Sequence, residues 1–586
     1  MGGLLPPGAG RPAIVRPVGS AAVLVEIEEL RVLDGPNIYF PRPAIKLTLA
    51  VPGWQRATEE RLDRLAGMLG MAKTIQAGDR ASDQRLRFAA RVAAQCARLI
   101  AAATGARLGV RGRPGPGSDR IVVAFPWRRK GTAQAFAREV AVMMQALLAT
   151  RRSPERLIAG AAGRVDAVEP GGAPSVPEPT ITVVAITGTN GKTTTVRLLA
   201  HLVRTAGRSV AYSSTDGVYH DGRLVEAGDY SGFAGAGMAL SQPGVDVAVL
   251  ETARGGILLR GIGTLHNDVS VVTNVSSDHL GLHGIDTLDQ LAEVKQSITR
   301  ITRPDGWVVL NADDPRVLAM RRGATGRPFL CSFDPHHPAI REVLAEHGRA
   351  ISRLDGWLVG LGPGSALERL VPLEDVPLTL AGIATQHIQN AMAATAAAIG
   401  IGLPRDAIVN GLRMFRQTAD TNPGRANVYI LGTRTIVIDY AHNDAGMVGL
   451  TEILQELRPR RSEVWLGFCS AGDRQDEGLH ALGYRAARGA DRLVVAGLPK
   501  YLRGRDPDDL IGRLRAGAFD GGATDVPVEP DEVHALAHML ARSGPNDVIG
   551  LTALGQRPEV FGELERLGAD AADQATVLRL VRRARR

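Results

Sequence analysis

Apolar runs and helical patterns alternate over most of the chain beyond residue 180. The first run, ITVVAIT at 181–187, is almost wholly apolar or β-branched, and a helical pattern begins at Lys192 after a glycine turn. The same strand pattern returns at 245–251, 268–274 and 435–439. Such an alternation predicts doubly wound parallel sheets with helices on both faces, which is an α/β fold.

The first 165 residues show a different pattern. They predict strands at 23–32, 44–51 and 120–125, and helices at about 56–76, 82–104 and 131–150. We therefore expect a small α+β domain in this part of the chain. The Gly- and Pro-rich residues 1–20 are expected to be disordered.

A segment rich in Pro and Gly, GRVDAVEPGGAPSVPEPT, separates the two patterns. The predicted division is a tail at 1–20, an α+β domain at 21–165, a linker at 166–180, a central parallel-sheet domain at 181–420 and a C-terminal Rossmann-like α/β domain at 421–586.

Composition places the chain among ordinary globular proteins. Of its 586 residues, 45% are hydrophobic and 22% are charged, which suits about three or four domains. No run approaches the ~20 apolar residues of a membrane helix, and the N-terminus lacks the apolar core of a signal peptide, so we expect a cytoplasmic protein with no membrane partner. Cys96, Cys331 and Cys469 are too scattered for a disulfide framework or a metal site, and we predict that they lie in the core.

The net charge of +8 is unevenly distributed. Residues 1–170 hold 26 Lys and Arg against 14 Asp and Glu, which leaves 43 against 47 for residues 171–586. The basic part lacks interleaved aromatic residues and any recognised nucleic-acid motif, so an acidic polymer or plain solvation is a better explanation than nucleic acid.

The turn after the first apolar run carries the strongest chemical signal. A strand, a Gly-rich turn and a helix form a phosphate cradle whose backbone N–H groups close around the ligand. Lys192 would reach the outer phosphates, and a hydroxyl of Thr193 or Thr194 would ligate Mg²⁺. The spacing is shorter than in the usual P-loop, which would need Gly where this chain has Ile186. We predict ATP binding at the following residues: Gly188, Thr189, Asn190, Gly191, Lys192, Thr193 and Thr194.

Polar residues follow the next two predicted strands. Glu251 ends the strand at 245–251, and His279 follows the strand at 268–274. Ligands of parallel sheets bind at the carboxyl ends of the strands. Glu251 and His279 are therefore predicted to hold Mg²⁺ against the triphosphate of ATP.

These motifs resemble the Mur ligase superfamily, whose members join a carboxylate to an amine at the expense of ATP. The resemblance rests on GTNGKTT at 188–194 and on Asn274-x-x-x-Asp278-His279-Leu280. ETARGGIL at 251–258, DHLGLHGIDTLDQLAEVK at 278–295 and LRVLDGPNIY at 30–39 look like cyanophycin synthetases, although DGPN on its own is also a plain turn.

The resemblance implies further roles. Glu251 and His279 would bind two Mg²⁺ ions, and Lys295 matches a lysine that many Mur ligases carbamylate to bridge them. The family's adenine-side motif is matched only at Asn390, Ala393 and Ala394. Two more residues take roles from the family: Arg425 at the γ-phosphate and Asp439 at the ribose. Gly472-Asp473-Arg474 and Arg503-Gly504-Arg505 lie where family members handle the amino substrate or domain closure.

The implied chemistry is amide formation. A carboxylate attacks the γ-phosphate of ATP, and an amine then attacks the acyl phosphate, so that ADP and phosphate are released. His442 or Asp473 could take the proton of the amine. The expected partners are ATP, a carboxylate acceptor such as an acidic peptide or polymer, and an amino-acid or amine donor, with a homo-oligomer left open.

Cyanophycin synthetases also carry an ATP-grasp module after their N-terminal domain, and only residues 151–180 occupy that place here. Three functions remain: a ligase of cyanophycin-synthetase type, a Mur-like ligase acting on a cell-wall or folate-like substrate, and a silent ATP-binding scaffold for another ligase. The complete set Lys192, Glu251, His279, Arg425 and Asp439 speaks against the scaffold.

Overall fold

A computed structural model of the chain describes residues 24–72, 76–150, 152–364 and 367–586. The chain forms two compact units. The first contains 24–31, 45–125 and 129–172, and the second contains 32–44, 126–128 and 173–586. The tail predicted at 1–20 lies outside the described residues, as do Val23 and residues 73–75 of two predicted elements.

The first unit is built on a four-stranded sheet in the order β1-β2-β4-β3. On α3, residues spaced one helical turn apart, Phe88, Val92, Cys96 and Ile100, are fully buried, which is why this stretch is helical and faces the core. The elements are β1 Glu26–Leu33, β2 Ala44–Ala50, α1 Pro52–Arg56, α2 Glu59–Met68, α3 Asp83–Ala103, β3 Arg111–Pro114, β4 Arg120–Pro126, α4 Lys130–Ala149 and α5 Pro154–Asp166.

Two elements of the first unit differ from the sequence prediction. The helix predicted at 56–76 is shorter: α2 covers only Glu59–Met68, because the chain is extended at Ala57 and Thr58, and Arg56 already ends the separate helix α1. The helix α5, which begins with Pro154 after Ser153, was not predicted; it closes the predicted α+β domain and ends at Asp166, the first residue of the predicted linker. Its Ser-Pro start is a helix N-terminus signal that could have revealed it.

The second unit begins with an eleven-stranded sheet in the order β15-β14-β13-β12-β11-β10-β5-β9-β6-β7-β8. The strands from β13 to β6 in this order pair in parallel, and the hairpin strands at both edges pair antiparallel. Its elements are β5 Thr182–Thr187, α6 Lys192–Thr205, β6 Val210–Ser214, β7 Gly217–His220, β8 Arg223–Ala227, α7 Phe233–Leu240, β9 Val247–Glu251, α8 Arg254–Leu259, β10 Asn267–Val272, α9 Leu288–Gln296, β11 Thr302–Asn311, α10 Pro315–Ala319, β12 Arg327–Ser332, α11 Pro338–Ala345, β13 Arg349–Leu354, β14 Trp357–Leu361, β15 Leu367–Pro372, α12 Thr385–Gly400 and α13 Arg405–Met414.

A second sheet of the same unit has seven strands in the order β20-β19-β18-β21-β17-β16-β22. Its elements are β16 Asn427–Leu431, β17 Arg434–Asp439, α14 Asp444–Glu456, β18 Val464–Phe468, α15 Asp476–Gly489, β19 Arg492–Ala496, α16 Pro507–Asp520, β20 Val528–Glu529, α17 Glu532–Arg542, β21 Val548–Thr552, α18 Arg557–Arg566, β22 Asp570–Ala571 and α19 Gln574–Ala584. The predicted α/β fold with parallel-sheet cores is confirmed.

The segment 32–44 belongs to the second unit rather than to the first. The backbone N–H of Gly35 donates to the carbonyl of Arg260, and that of Ile262 donates to the carbonyl of Pro36. A Cβ on Gly35 would lie 1.8 Å from the carbonyl oxygen of Ile262, so only glycine allows this approach. The DGPN sequence therefore packs against residues 260–262 of the same unit and is not a plain turn.

The three cysteines are buried and unpaired, as predicted. Across the described ranges, no helix combines the length and the apolar character needed to cross a membrane.

Candidate functional site

The register of the eleven-stranded sheet brings three predicted motifs to one edge. The strand β5 lies between β9 and β10, with Ile186 opposite Glu251 and Thr187 opposite Val272. Because all three strands are parallel, the glycine turn after β5, Glu251 and the residues after β10 meet at their carboxyl ends. This is the edge at which doubly wound sheets bind ligands.

Both glycines of the turn are required by close neighbours. A Cβ on Gly188 would lie 1.8 Å from Oγ1 of Thr273, and one on Gly191 would lie 2.1 Å from Oδ1 of Asn390. Gly191 has a φ of 86° and caps the N-terminus of α6. The backbone of the turn is therefore left open at a helix N-terminus, as phosphate binding requires.

The residues after β10 hold the turn in place. Asn274 accepts from the backbone N–H of Asn190 at 2.9 Å and donates to its carbonyl at 3.1 Å. The hydroxyl of Thr189 donates to the carbonyl of Ser276 at 3.1 Å. The first residue of the Asn-x-x-x-Asp-His-Leu motif thus supports the shape of the cradle.

Lys192 and Thr193 begin α6 beside the cradle. Nζ of Lys192 donates to the carbonyl of Thr189 at 2.9 Å, which folds the side chain over its own loop. Oγ1 of Thr193 donates to Oε2 of Glu251 at 2.8 Å. Thr194 is buried.

The other carboxylate oxygen of Glu251, Oε1, is buried and has no hydrogen-bond partner among the described residues. Burial raises the pKa of Glu251, although the charge of Lys192 and the Thr193 hydroxyl act in the opposite direction. An unpartnered carboxylate oxygen beside a threonine hydroxyl fits Mg²⁺, which is a hard cation and prefers oxygen ligands. Within the described ranges, no three His, Cys, Asp or Glu side chains form a metal cluster. An ion here would therefore take further ligands from phosphate oxygens and water.

His279 lies in a loop with a left-handed backbone, at a φ of 52°. Arg254 holds this conformation by donating to the carbonyl of His279 at 2.6 Å. Nδ1 of His279 lies 3.7 Å from Asp473, and its Nε2 lies 3.9 Å from Asp278. Burial lowers the pKa of His279 to about 4, so the ring is neutral near pH 7 and keeps a lone pair for a metal ion. These contacts lead to Asp278 and Asp473, and none of them joins His279 to Glu251.

Asp278 is the centre of a polar cluster that links the two sheets. Its carboxylate accepts a hydrogen bond from Arg474 and lies 3.8 Å from Nε2 of His442. Burial alone would raise the pKa of Asp278, but the neighbouring His442 and the charge of Arg474 outweigh it and hold the pKa well below its usual range. Asp278 is therefore ionised at the pH of most assays.

His442 has its two ring nitrogens in different surroundings. Nδ1 lies 2.8 Å from the carbonyl of Tyr440, so this nitrogen carries the proton, and Nε2 faces Asp278. In a neutral ring, Nε2 then has the free lone pair.

Lys295 is 3% exposed at the end of α9. Burial and then the charge of Lys192 lower the pKa of Lys295 well below its ordinary value. Burial therefore favours the neutral amine more than in an exposed lysine, and the neutral amine is the nucleophilic form.

Three arginines and Asp216 form an arginine cluster: Arg197, Arg425 and Arg557. Asp216 binds Arg197 at 2.9 Å and Arg557 at 2.6 Å. The guanidinium of Arg425 lies 4.5 Å from the ring centroid of Tyr440, and that of Arg557 lies 5.1 Å from it. Sequence reasoning found only Arg425. The other members, Arg197, Arg557 and Asp216, come from distant parts of the chain and carry no local signal.

Two further predicted residues have buried partners. Oδ2 of Asp439 accepts from the backbone N–H of Ala426 at 2.7 Å, and burial raises the pKa of Asp439. Asn390 on α12 contacts Gly191 and accepts from Thr195 at 3.5 Å. Both therefore support neighbouring loops in this structure, and their roles towards ATP stay predictions.

Comparison with known proteins agrees with this geometry. The family model described as the Mur ligase middle domain matches residues 186–398, and the model described as the Mur ligase, glutamate ligase domain matches residues 424–555.

Three similar proteins illustrate the relationship. The chain is 42% identical to a cyanophycin synthetase of Crocosphaera subtropica over 340 residues, which are 58% of this chain and 38% of that protein. It is also 28% identical to the UDP-N-acetylmuramoyl-L-alanyl-D-glutamate--2,6-diaminopimelate ligase of Alkalilimnicola ehrlichii. That match extends over 389 residues, which are 65% of this chain and 72% of that protein. A solved structure of E. coli FolC in complex with DHPP and ADP matches 67% of this chain and 90% of that chain, with a TM-score of 0.48 and 18% identity.

The chain spans about two fifths of the length of the cyanophycin synthetases that it matches. Because both models match in chain order, and because the residues they cover build the glycine cradle and the cluster around Asp278, residues 186–398 and 424–555 of this chain are a Mur ligase middle domain and a Mur ligase, glutamate ligase domain.

Proposed function

We propose that this protein is an ATP-dependent carboxylate-amine ligase that releases ADP and phosphate. The observation that carries the proposal is the contact between Thr193 and Glu251 at the mouth of a glycine cradle. That contact leaves one buried carboxylate oxygen free for a cation, beside a lysine that can meet phosphate. Such an arrangement serves the transfer of a phosphoryl group.

Each residue has a defined task in this proposal. The backbone N–H groups of the turn between Gly188 and Lys192 bind the phosphates, and Lys192 exchanges its contact with Thr189 for the outer phosphates. Arg425 stabilises the charge that develops when the carboxylate of the acceptor attacks the γ-phosphorus. Asn390 and Asp439 hold the adenosine part of ATP.

Two Mg²⁺ ions would be held with the help of four residues: Thr193, Glu251, His279 and Lys295. Bound Mg²⁺ would neutralise phosphate charge during the transfer. The buried amine of Lys295, whose pKa is lowered by burial, is suited to carbamylation, and a carbamate would supply the anionic oxygens that an ammonium group lacks. His279, held neutral by burial, supplies a ring nitrogen.

The second step requires an unprotonated amine. Nε2 of His442 faces Asp278, whose negative charge stabilises the imidazolium that forms when His442 takes the proton. The amine nitrogen then bonds to the acyl carbon, and the carbon–oxygen bond to phosphate breaks. Asp473, beside His279, is the second candidate for the proton.

For the substrates, we propose an acidic peptide or polymer as the acceptor and an amino acid as the donor. This choice follows the similarity to proteins named cyanophycin synthetase and the basic composition of residues 1–170. The similarity to a ligase named for diaminopimelate keeps a cell-wall type of acceptor as the second candidate.

The test is ADP release from ATP, measured across amino acids with acidic peptides as acceptors. The purified chain should release ADP only when both substrates are present. Lys192→Ala should abolish the release, because the charge that meets the outer phosphates stabilises the transition state by several kcal/mol. Arg341→Ala, which removes an exposed cation from α11, is the matched control and should leave the rate unchanged. A Lys192→Ala variant within a few-fold of the parent would remove the cradle from the mechanism.

A further inference from the structure

Glu532, which lies in none of the predicted motifs, is a fully buried carboxylate at the start of α17. Its Oε1 accepts from the backbone N–H of Leu554 at 2.6 Å and of Gly555 at 3.0 Å. Its Oε2 accepts from Gln556 at 2.6 Å. The thiol of Cys469 lies 3.3 Å from the same carboxylate.

Three successive N–H groups that converge on one carboxylate form an anion nest. The nest compensates the buried charge of Glu532, and it also fixes the backbone of residues 554–556. This loop joins β21 to α18, and the next residue is Arg557. The position of Arg557 therefore depends on Glu532.

Arg557 points into the arginine cluster. Its Nη2 donates to Asp216 at 2.6 Å and its Nη1 donates to the carbonyl of Pro423 at 3.3 Å. A Cβ on Gly424 would lie 2.8 Å from Cδ of Arg557, so glycine at position 424 avoids a clash with the Arg557 side chain. Arg557 and Arg425 both lie over the ring of Tyr440.

The cluster is connected to the cradle through Asp216. The preceding residue, Thr215, has its hydroxyl 3.2 Å from that of Thr193, which in turn donates to Glu251. Three guanidinium groups gather here, from Arg197, Arg425 and Arg557. Two carboxylates, Asp216 and Asp439, act on Arg425 in the same region. The surplus of positive charge suits a ligand with several anionic oxygens.

We propose that Arg557 is a second guanidinium for the γ-phosphoryl group of ATP, beside Arg425, and that Glu532 is the residue that positions it. The two hydrogen bonds of Arg557 use two of its five N–H donors, which leaves donors for phosphate oxygens. Asp216 holds the side chain in place before ATP binds. This inference rests on the proposed function, because it assumes that ATP binds in the cradle.

The experiment compares the affinity of the full chain for ADP and for a non-hydrolysable ATP analogue, AMPPNP, by titration calorimetry with Mg²⁺. The ratio of the two affinities isolates the γ-phosphoryl group. Arg557→Gln should lower the preference for AMPPNP about tenfold, the size of one lost charge-assisted hydrogen bond, and leave ADP binding unchanged. Glu532→Gln should also lower the preference for AMPPNP. The double variant should lower this preference no further than Arg557→Gln alone.

The control is Asp547→Asn. Asp547 is also a buried carboxylate, placed just before β21, and accepts from the backbone N–H groups of Glu463 and Gly544, but it holds a different loop. Asp547→Asn should lower thermal stability without changing the ratio of the affinities for AMPPNP and ADP. If Glu532→Gln does not fold, Glu532→Asp keeps the charge with a shorter reach and should show a smaller loss of preference.

The outcomes separate the two proposals. A parent that binds neither nucleotide overturns the proposed function and this inference with it. A parent that prefers AMPPNP, together with Arg557 and Glu532 variants that keep the preference, overturns this inference alone. An equal loss in Asp547→Asn would also overturn it, because the effect would then follow from general destabilisation.

Discussion

Asn190 and Asn443 exchange two hydrogen bonds through their side-chain amides. Nδ2 of Asn190 donates to Oδ1 of Asn443 at 3.1 Å, and Nδ2 of Asn443 donates to Oδ1 of Asn190 at 3.0 Å. Asn190 is in the glycine cradle, and Asn443 caps α14 by accepting from Gly446. The phosphate cradle of the first Mur domain is thus joined directly to a helix start in the second.

The first prediction concerns this amide pair. Asn443→Ser should keep the cap of α14 but lose both hydrogen bonds to Asn190, because its hydroxyl is too short to reach. We expect KM for ATP to rise several-fold, in line with about 1 kcal/mol for a neutral hydrogen bond. Initial rates against ATP concentration measure this effect. Asp573→Ser, which changes the cap of α19, should leave KM unchanged, and an equal rise in both variants would contradict a specific role for the pair.

A second prediction uses the raised pKa of Glu251. Burial raises this pKa, so the folded state holds the proton more tightly than the unfolded state, and stability falls as pH rises above the unfolded pKa. Glu251→Gln removes that cost and can still accept from Thr193. We expect the variant to be at least as stable as the parent at pH 7, with the difference vanishing near pH 4.

The same variant should lose activity. Glutamine is a weaker ligand for Mg²⁺ than a carboxylate, so the rate should fall about tenfold or more and the Mg²⁺ requirement should rise. Denaturant unfolding at pH 4 and pH 7 and a Mg²⁺ titration of the rate are the two measurements. A destabilised variant with an unchanged Mg²⁺ requirement would show that Glu251 has a structural role only.

The third prediction concerns Lys295. Burial lowers its pKa, so unfolding takes up a proton below the unfolded pKa, and the stability contributed by this site rises with pH from the folded pKa towards about 10. Lys295→Met should therefore be more stable than the parent at pH 7. It should also be inactive if a carbamate on this lysine holds the metal ions.

Bicarbonate and short carboxylic acids provide the check. Bicarbonate should stimulate freshly purified parent, and acetate or formate should partly restore Lys295→Ala, since each supplies the missing anionic oxygens. Neither should restore Lys192→Ala. Full activity of Lys295→Ala without additives would leave this lysine without a catalytic role.

A fourth prediction addresses the basic composition of the first 170 residues. As a hypothesis, exposed arginines of the first unit bind long acidic acceptors. Arg87 and Arg91 lie one turn apart on α3 and are exposed. Reversing both to Glu should reduce the preference for long acceptors over short ones, and the preference of the parent should weaken with salt because exposed charges are screened beyond about 8–10 Å.

Reversal of Arg582 and Arg583 on α19 is the control and should leave the preference intact. Charge reversal is a sharper test than truncation near residue 175, which would remove segment 32–44 from the second unit and uncover Ile262. The hypothesis would be contradicted if the preference for long acceptors changed neither with the substitutions at Arg87 and Arg91 nor with the salt concentration.

The sequence by itself determined the local elements of this protein. Apolar β-branched runs such as 181–187 can bury both faces in a parallel sheet, and the glycine turn before Lys192 has a fixed relation to the strand and helix that flank it. For this reason the cradle, Glu251 at a strand end and the α/β class were all predictable. Elements with weak periodicity, such as β3 and α5, were not.

Only the tertiary structure decided which distant residues meet. The polar cluster joins Asp278 to His442 and Arg474, and the arginine cluster joins Asp216 to Arg197 and Arg557. The pairing of Asn190 with Asn443 likewise spans more than 250 positions. Hydrophobic periodicity sets which face of an element is buried, but it carries no information about which loops converge at a sheet edge. That convergence follows from strand order and from the packing of the two sheets, and both are properties of the whole fold.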